Sequence, residues 1–282
     1  MSKNKKQHYI PQFLLKRFAT TKNSESIEGE SIYRLDKLNM TIQKKGIGNC
    51  AYENYYYSFI DNEGNINHKI EQLLSQFESA ALVAFRKIDK YLDFYKRLKT
   101  VNELSDEEKI IIKYFIFLSL VRVPAVFGEM KRKLKLHEEE MDEKYDIEYS
   151  DDRVRNNAIK LLVSFTNPNE SKVFNLLKIK AMTILYCRKS IKRFIIGDNP
   201  VFLLNDKGPN GLAYTETEVY FPISSSSCIV LQDNIKNTPY LYIDQVDYID
   251  QINRRIVDVS SRYVFSENEE TLKELIVKKA KT

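Results

Sequence analysis

His8, His68 and His137 are the only histidines in a chain of 282 residues, and only His8 lies in a dense motif, His8-Tyr9-Ile10-Pro11-Gln12-Phe13-Leu14-Leu15-Lys16-Arg17-Phe18. A histidine titrates near neutrality and serves as a general base or a metal ligand. His8 also sits in a basic arm: Lys3, Lys5, Lys6, Lys16, Arg17 and Lys22 fall within residues 1–22, with no acid among them. Such an arm can contact phosphates. The chemistry these residues suggest is acid–base work at a phosphate, with His8 as base and Lys16, Arg17 and Arg122 as anion binders. Arg122 ends an apolar stretch, where its guanidinium must meet a carboxylate or a ligand anion. Glu71, Glu78 and Asp198 are the carboxylates to consider. Glu71 and Glu78 are two helical turns apart on one face, and Asp198 with Glu78 could hold a divalent cation.

Every one of these residues has a structural alternative. His8 can hydrogen-bond at a helix entrance, and Arg122 can sit in a buried ion pair. Asp198-Asn199-Pro200 has the composition of a turn after a strand, and Glu71 and Glu78 can be a solvated helix face. Tyr52, Tyr55, Tyr56 and Tyr57 can stack bases or pack within a strand.

Composition narrows the field. At 43% hydrophobic and 29% charged residues the chain is globular and long enough for a large core. Only 8 Gly and 7 Pro are present, with no G-x-G-x-x-G and no G-K-[ST], so no nucleotide cofactor is expected. Cys50, Cys187 and Cys228 are sparse and odd in number, which suits buried thiols. No nucleophile turn of the G-x-S-x-G kind occurs. The apolar run from Ile110 to Val121 contains Lys113 and is too short for a bilayer span. No secretory stretch follows the basic start. A cytoplasmic protein without membrane association is therefore expected. Residues 137–152 are densely acidic, from Glu138 to Asp152 against the single Lys144, and could dock a protein partner. Oligomeric state is left open.

The elements that must position these residues read as α+β. Residues 1–7 form a frayed basic arm. Residues 8–65 hold a short helix over Gln12–Ala19, a hairpin of Ser31–Asp36 with Met40–Gln43, and a third strand over Tyr55–Ile60. Residues 66–190 are mainly helical: apolar spacing from Ile70 to Ile88 gives a first long helix. Ser105-Asp106-Glu107-Glu108 is a capping box opening a buried one. Pro124 ends or bends that helix soon after Arg122. Residues 191–282 return to strands, with helices over Asp244–Val259 and Glu269–Lys279. One domain over 1–282 is expected, its N-terminal β-hairpin and C-terminal antiparallel strands packed on the helical middle.

An ordered set of motifs resembles the family catalogued as domain of unknown function 4238. The set comprises His8-Tyr9-x-Pro11-x-Phe13-x-Leu15-x-Arg17-Phe18, Tyr33-x-x-Asp36-Lys37, Glu71 with Glu78, Arg122-x-Pro124, Asp198-Asn199-Pro200, Phe221-Pro222-Ile223-Ser224, and Asn253 with Arg262-Tyr263-Val264. Gly197 departs from the family pattern, which has Ser or Thr before Asp-Asn-Pro. The resemblance implies no established activity. The residues themselves suggest a nucleic-acid-directed enzyme, nuclease-like and of the kind carried in phage-defence loci. The alternative is a non-catalytic binding or interaction module with structural polar residues. The discriminating observation is whether His8, Arg17, Arg122 and Asp198 share one open cleft.

Overall fold

The computed structural model describes residues 5–20, 30–60, 65–145, 151–165, 167–168, 171–187, 192–233 and 238–279. Its helical centre starts with α2 (Lys69–Leu98), whose apolar residues Ile70, Leu74, Ala81, Phe85, Ile88 and Leu92 recur at helical spacing and are all buried. Helix α3 (Asp106–Val121) opens on the expected capping box, with Ser105 accepting from the Glu108 amide and the Glu108 carboxylate accepting from the Ser105 amide. Its run from Ile112 to Ser119 is buried all round. Lys113 survives there because its ammonium donates to the carbonyls of Lys178 and Lys180, at 2.7 and 2.6 Å. Those carbonyls end α6 (Lys172–Ile179), where orphaned C=O groups favour a cation. Arg122 stops α3, and Pro124 begins α4 (Pro124–Tyr145) rather than breaking a longer helix. Helix α5 (Asp151–Phe165) packs on α4.

Two main sheets flank the helices. The larger has the order β12-β7-β11-β10-β9, from β7 (Ala181–Tyr186), β9 (Phe202–Leu204), β10 (Glu218–Ser224), β11 (Ser227–Gln232) and β12 (Tyr240–Tyr242). All its pairings are antiparallel except β12 on β7. The second, β3-β2-β13-β8, joins the two ends of the chain. Its hairpin of β2 (Ser31–Asp36) and β3 (Thr41–Gly46) pairs through β2 with β13 (Tyr263–Ser266), which in turn pairs β8 (Ile196–Gly197). A ring cluster ties the layers together: Phe13, Phe85, Phe115 and Phe221 lie with centroids 5.5–6.4 Å apart, tilted or edge-on as aromatic quadrupoles prefer. No single helix among the described residues is long and apolar enough to cross a membrane.

Two expectations change. The basic arm is ordered from Lys6 onward: β1 (Lys6–His8) pairs antiparallel with β4 (Tyr52–Asn54), and Gln7 is buried. The third strand over Tyr55–Ile60 shrinks to β5 (Phe59–Ile60), paired with β6 (Ile66–Asn67). Tyr55 has φ of 55° and starts a turn, which a strand cannot contain. Tyr56 and Tyr57 are buried as a result.

Gly197 is explained by packing. A Cβ there would fall on Ser260 Oγ and lie 3.1 Å from Ser260 Cβ and 3.3 Å from Ile256 Cγ2. Both belong to the end of α7 (Val246–Val259) and its cap, so a hydroxyl already occupies the space from the neighbouring segment. Gly197→Ala is expected to destabilise by about 2 kcal/mol through overpacking, measured by denaturant unfolding. Ser260→Gly in the same chain should recover most of that loss. A Gly197→Ala protein as stable as the parent would contradict this contact.

Candidate functional site

The motif around His8 folds as a joint. Tyr9 extends the β1–β4 ribbon by donating its amide to the Ala51 carbonyl, 3.0 Å. Pro11 then leads into α1 (Gln12–Lys16), which buries Leu14 and Leu15, and Phe18 follows in the core. Strand alternation sets what each arm residue meets. Gln7 faces α2: its amide donates to Glu71 at 2.9 Å and to Ser58 at 2.8 Å, while its carbonyl accepts from the Tyr57 amide at 2.6 Å. Lys6 and His8 both meet Tyr52: the Lys6 ammonium stands 4.5 Å from that ring, and the His8 imidazole 5.7 Å from it. Lys5 sits over Tyr55 at 5.7 Å. Burial lowers the His8 pKa below the ordinary 6.5, with the Gly48 backbone opposing and Lys6 reinforcing.

His8 is therefore neutral at pH 7. Its contribution to stability is full above 6.5 and is lost as pH falls through the lower folded value. The NMR titration of the His8 ring should show a midpoint below 6.5; a midpoint at or above it would contradict the buried setting.

Between β1 and α2 lies a cleft of about 340 Å³, lined by Gln7, His8, Tyr57, Glu71 and Glu78 among others. Glu78 binds Arg122 there, Oε1 to Nη1 at 2.7 Å. Arg122 is 1% exposed and Glu78 25%. Arg122 also lies over the Phe115 ring, 5.5 Å from its centroid. Arg122 itself is not among the residues that line the cleft, and three enclosed polar atoms around the ion pair have no hydrogen-bond partner among the described residues: Arg122 Nε, Arg122 Nη2 and Tyr57 Oη. His8 Nε2 is a fourth, on the ribbon. Burial pushes the Tyr57 phenol well above its usual pKa, with the Arg122 charge pulling it back. The phenol thus stays a neutral O–H donor. Gln7 was not singled out in the sequence as a member of a site, and Tyr57 was considered only for base stacking or packing.

The other candidates lie elsewhere. Arg17 makes a two-point ion pair with Asp89, 2.7 Å on each arm, and also donates to the Ile223 carbonyl. It lines a separate polar cleft of about 740 Å³, with Arg193, Ser224, Ser225 and Glu267. Lys16, in the same cleft, is paired with Glu30 at 2.8 Å. Asp198 accepts the backbone amides of Ser261, Arg262 and Tyr263 at 2.7, 2.7 and 2.8 Å. Burial raises its pKa, while those three bonds pull the other way. Asn199 Nδ2 donates to the Val259 carbonyl at 3.1 Å. Asp198-Asn199-Pro200 thus fastens the end of α7 to β13. Convergence of His8, Arg17, Arg122 and Asp198 in one cleft is not what the structure shows. Glu78 and Asp198 do not share a cation site either, because both Asp198 oxygens are bound to backbone N–H groups. Among the described residues no group of three or more His, Cys, Asp or Glu side chains could hold a metal ion. Of the acidic segment 137–152, residues 146–150 lie outside the described residues, as do the side chains of 138 and 141–152.

A family model described as Protein of unknown function (DUF4238) matches residues 6–270, nearly the whole chain. No curated protein and no solved structure matches.

Proposed function

The chain belongs to the family described as Protein of unknown function (DUF4238), and we propose that it binds single-stranded nucleic acid along the β1–β4 ribbon and into the cleft beside α2. The observation that carries this is the pairing of cation with ring on the ribbon: Lys5 over Tyr55 and Lys6 over Tyr52, beside a cleft that Lys6 also lines. Ammonium groups neutralise backbone phosphates, and tyrosine rings offer faces on which bases stack whatever their sequence. Tyr56 and Tyr57 are buried and take no part in stacking.

Equilibrium binding of a single-stranded oligonucleotide across a salt series tests this. Affinity should fall as salt rises, and replacing Lys5 and Lys6 together by Ala should reduce the salt slope by about 0.7 per lysine. Absence of binding at low salt, or a slope unchanged by the double substitution, would overturn the reading.

A nuclease-like effector, as in phage defence, is the second reading. Glu71 and Glu78 favour it, because both carboxylates line the same cleft and either could move a proton at a bound phosphate. Cleavage of the bound oligonucleotide, lost in Glu71→Gln with binding retained, would support it. Binding without cleavage would leave the non-catalytic reading.

A further inference from the structure

We infer that this cleft reads the 2′-hydroxyls of its strand, so that the ligand is single-stranded RNA rather than DNA. The inference rests on the nucleic-acid reading above and narrows it to one substrate class. The wall that α2 gives the cleft carries it. Glu71, Ser75, Glu78 and Ser79 all line the cleft, spaced i, i+4, i+7 and i+8, which is a single helix face. Every polar group on that face accepts. Ser75 Oγ donates to the Glu71 carbonyl at 2.9 Å, and Ser79 Oγ to the Ser75 carbonyl at 2.8 Å. A hydroxyl has one proton, so each serine has only lone pairs left to offer. Each carboxylate is held by one oxygen and offers the other. Gln7 Nε2 donates to Glu71 Oε2 at 2.9 Å, and Arg122 Nη1 to Glu78 Oε1 at 2.7 Å. The second oxygens, Glu71 Oε1 and Glu78 Oε2, have no hydrogen-bond partner among the described residues. These acceptors are open to solvent: Glu71 is 30% and Glu78 25% exposed, and both serines are exposed.

An acceptor-only wall repels phosphate and calls for donors. Lys6 lines the ribbon side of the same cleft. A strand lying between the two has its phosphates drawn to Lys5 and Lys6 and its sugars turned to α2. What the sugar offers then decides the affinity. A ribose 2′-hydroxyl donates to a carboxylate or a serine oxygen. Deoxyribose has no donor at that carbon, and the 2′-hydroxyl is the group by which proteins tell RNA from DNA. A DNA strand covers the same acceptors and leaves them unmatched, which costs free energy. The apolar part of the lining, Pro11, Phe13, Leu74 and Leu82, has no donor that compensates. Because Gln7 and Arg122 already fix one oxygen of each carboxylate, little side-chain freedom is lost when a hydroxyl meets the other.

The test measures equilibrium binding of the full chain to three single strands of one base sequence, with uracil in each: RNA, DNA and 2′-O-methyl RNA. RNA should bind at least about tenfold more tightly than DNA, the effect of one hydrogen bond to a charged acceptor. The 2′-O-methyl strand keeps the oxygen but has lost the donor, and should bind like DNA. Glu71→Ala should lower RNA affinity and leave DNA affinity unchanged or higher. A carboxylate acting only through its charge predicts the opposite for RNA, because removing a negative charge favours every strand. Ser75→Ala combined with Ser79→Ala removes two exposed hydroxyls and should narrow the same ratio. That variant keeps the test open if Glu71→Ala does not fold, which circular dichroism reports. Equal affinity for RNA and DNA, a 2′-O-methyl strand bound as tightly as RNA, or a ratio unchanged in the folded variants would overturn the inference and leave the nucleic-acid reading standing. Failure of all three strands to bind at low salt would overturn both.

Discussion

Glu78→Ala is expected to destabilise the protein by about 3 kcal/mol, the low end of what removing one partner of a buried ion pair costs. The asymmetry of the pair sets the magnitude. Glu78 is a quarter exposed and can be hydrated, whereas Arg122 at 1% exposure cannot. Without the carboxylate, a full positive charge stays among Phe115, Tyr56 and Tyr57 with no counter-charge at hydrogen-bond distance among the described residues. Removing the cation should therefore be milder: Arg122→Met fills similar volume with apolar atoms and leaves a carboxylate that water can reach. Denaturant unfolding checks both variants. The expected order is parent, then Arg122→Met, then Glu78→Ala. The reverse order would mean that the pair's worth lies with Glu78 rather than with the buried guanidinium.

Asp198→Ala should destabilise by about 4 kcal/mol, because it strands three backbone N–H groups at once. Those amides belong to Ser261, Arg262 and Tyr263, where the chain leaves α7 and enters β13. Strand β13 is central in the sheet that joins the N-terminal hairpin to the C-terminal region, so the loss should be global rather than confined to a loop. Asp198→Asn keeps one acceptor oxygen and should cost about half as much. Unfolding midpoints of both variants, with nucleic-acid binding measured on the folded fraction, separate the two roles this residue could have had. A structural role predicts lost stability with unchanged affinity. Lost affinity in a fully stable Asp198→Asn protein would restore Asp198 to the functional site.

The readable parts of the chain were those whose signal is local. The capping box at Ser105, the helical spacing from Ile70 to Ile88 and the alternation of Ser31–Asp36 each state their element within a few residues, and the structure follows them. Strands β1 and β12 were missed because each is three residues long and is made by its partner, β4 or β7. The site was half legible. Glu71 and Glu78 share a helix face, and that face lines the cleft; Arg122 required a carboxylate, and Glu78 supplies it. Asp198 and Arg17 were misplaced for a physical reason. A buried carboxylate and a half-buried guanidinium look alike in sequence whether they meet a ligand, a backbone or each other. Only the fold shows that Asp198 is saturated by amides and Arg17 by Asp89. Gln7 and Tyr57 carried a faint signal, a polar residue between Lys6 and His8 and one tyrosine in a run of three. What gives them meaning is the turn at Tyr55 and the pairing of β1 with β4.

The central claim is that the cleft between β1 and α2 is where this protein meets its ligand. NMR chemical-shift mapping with a single-stranded oligonucleotide tests it most directly. The account predicts shifts at Lys6, Gln7, His8, Glu71 and Glu78, with Arg17, Arg193 and Ser225 undisturbed. Shifts confined to the cleft around Arg17 and Arg193, with Lys6, Gln7 and Glu71 unmoved, would contradict it.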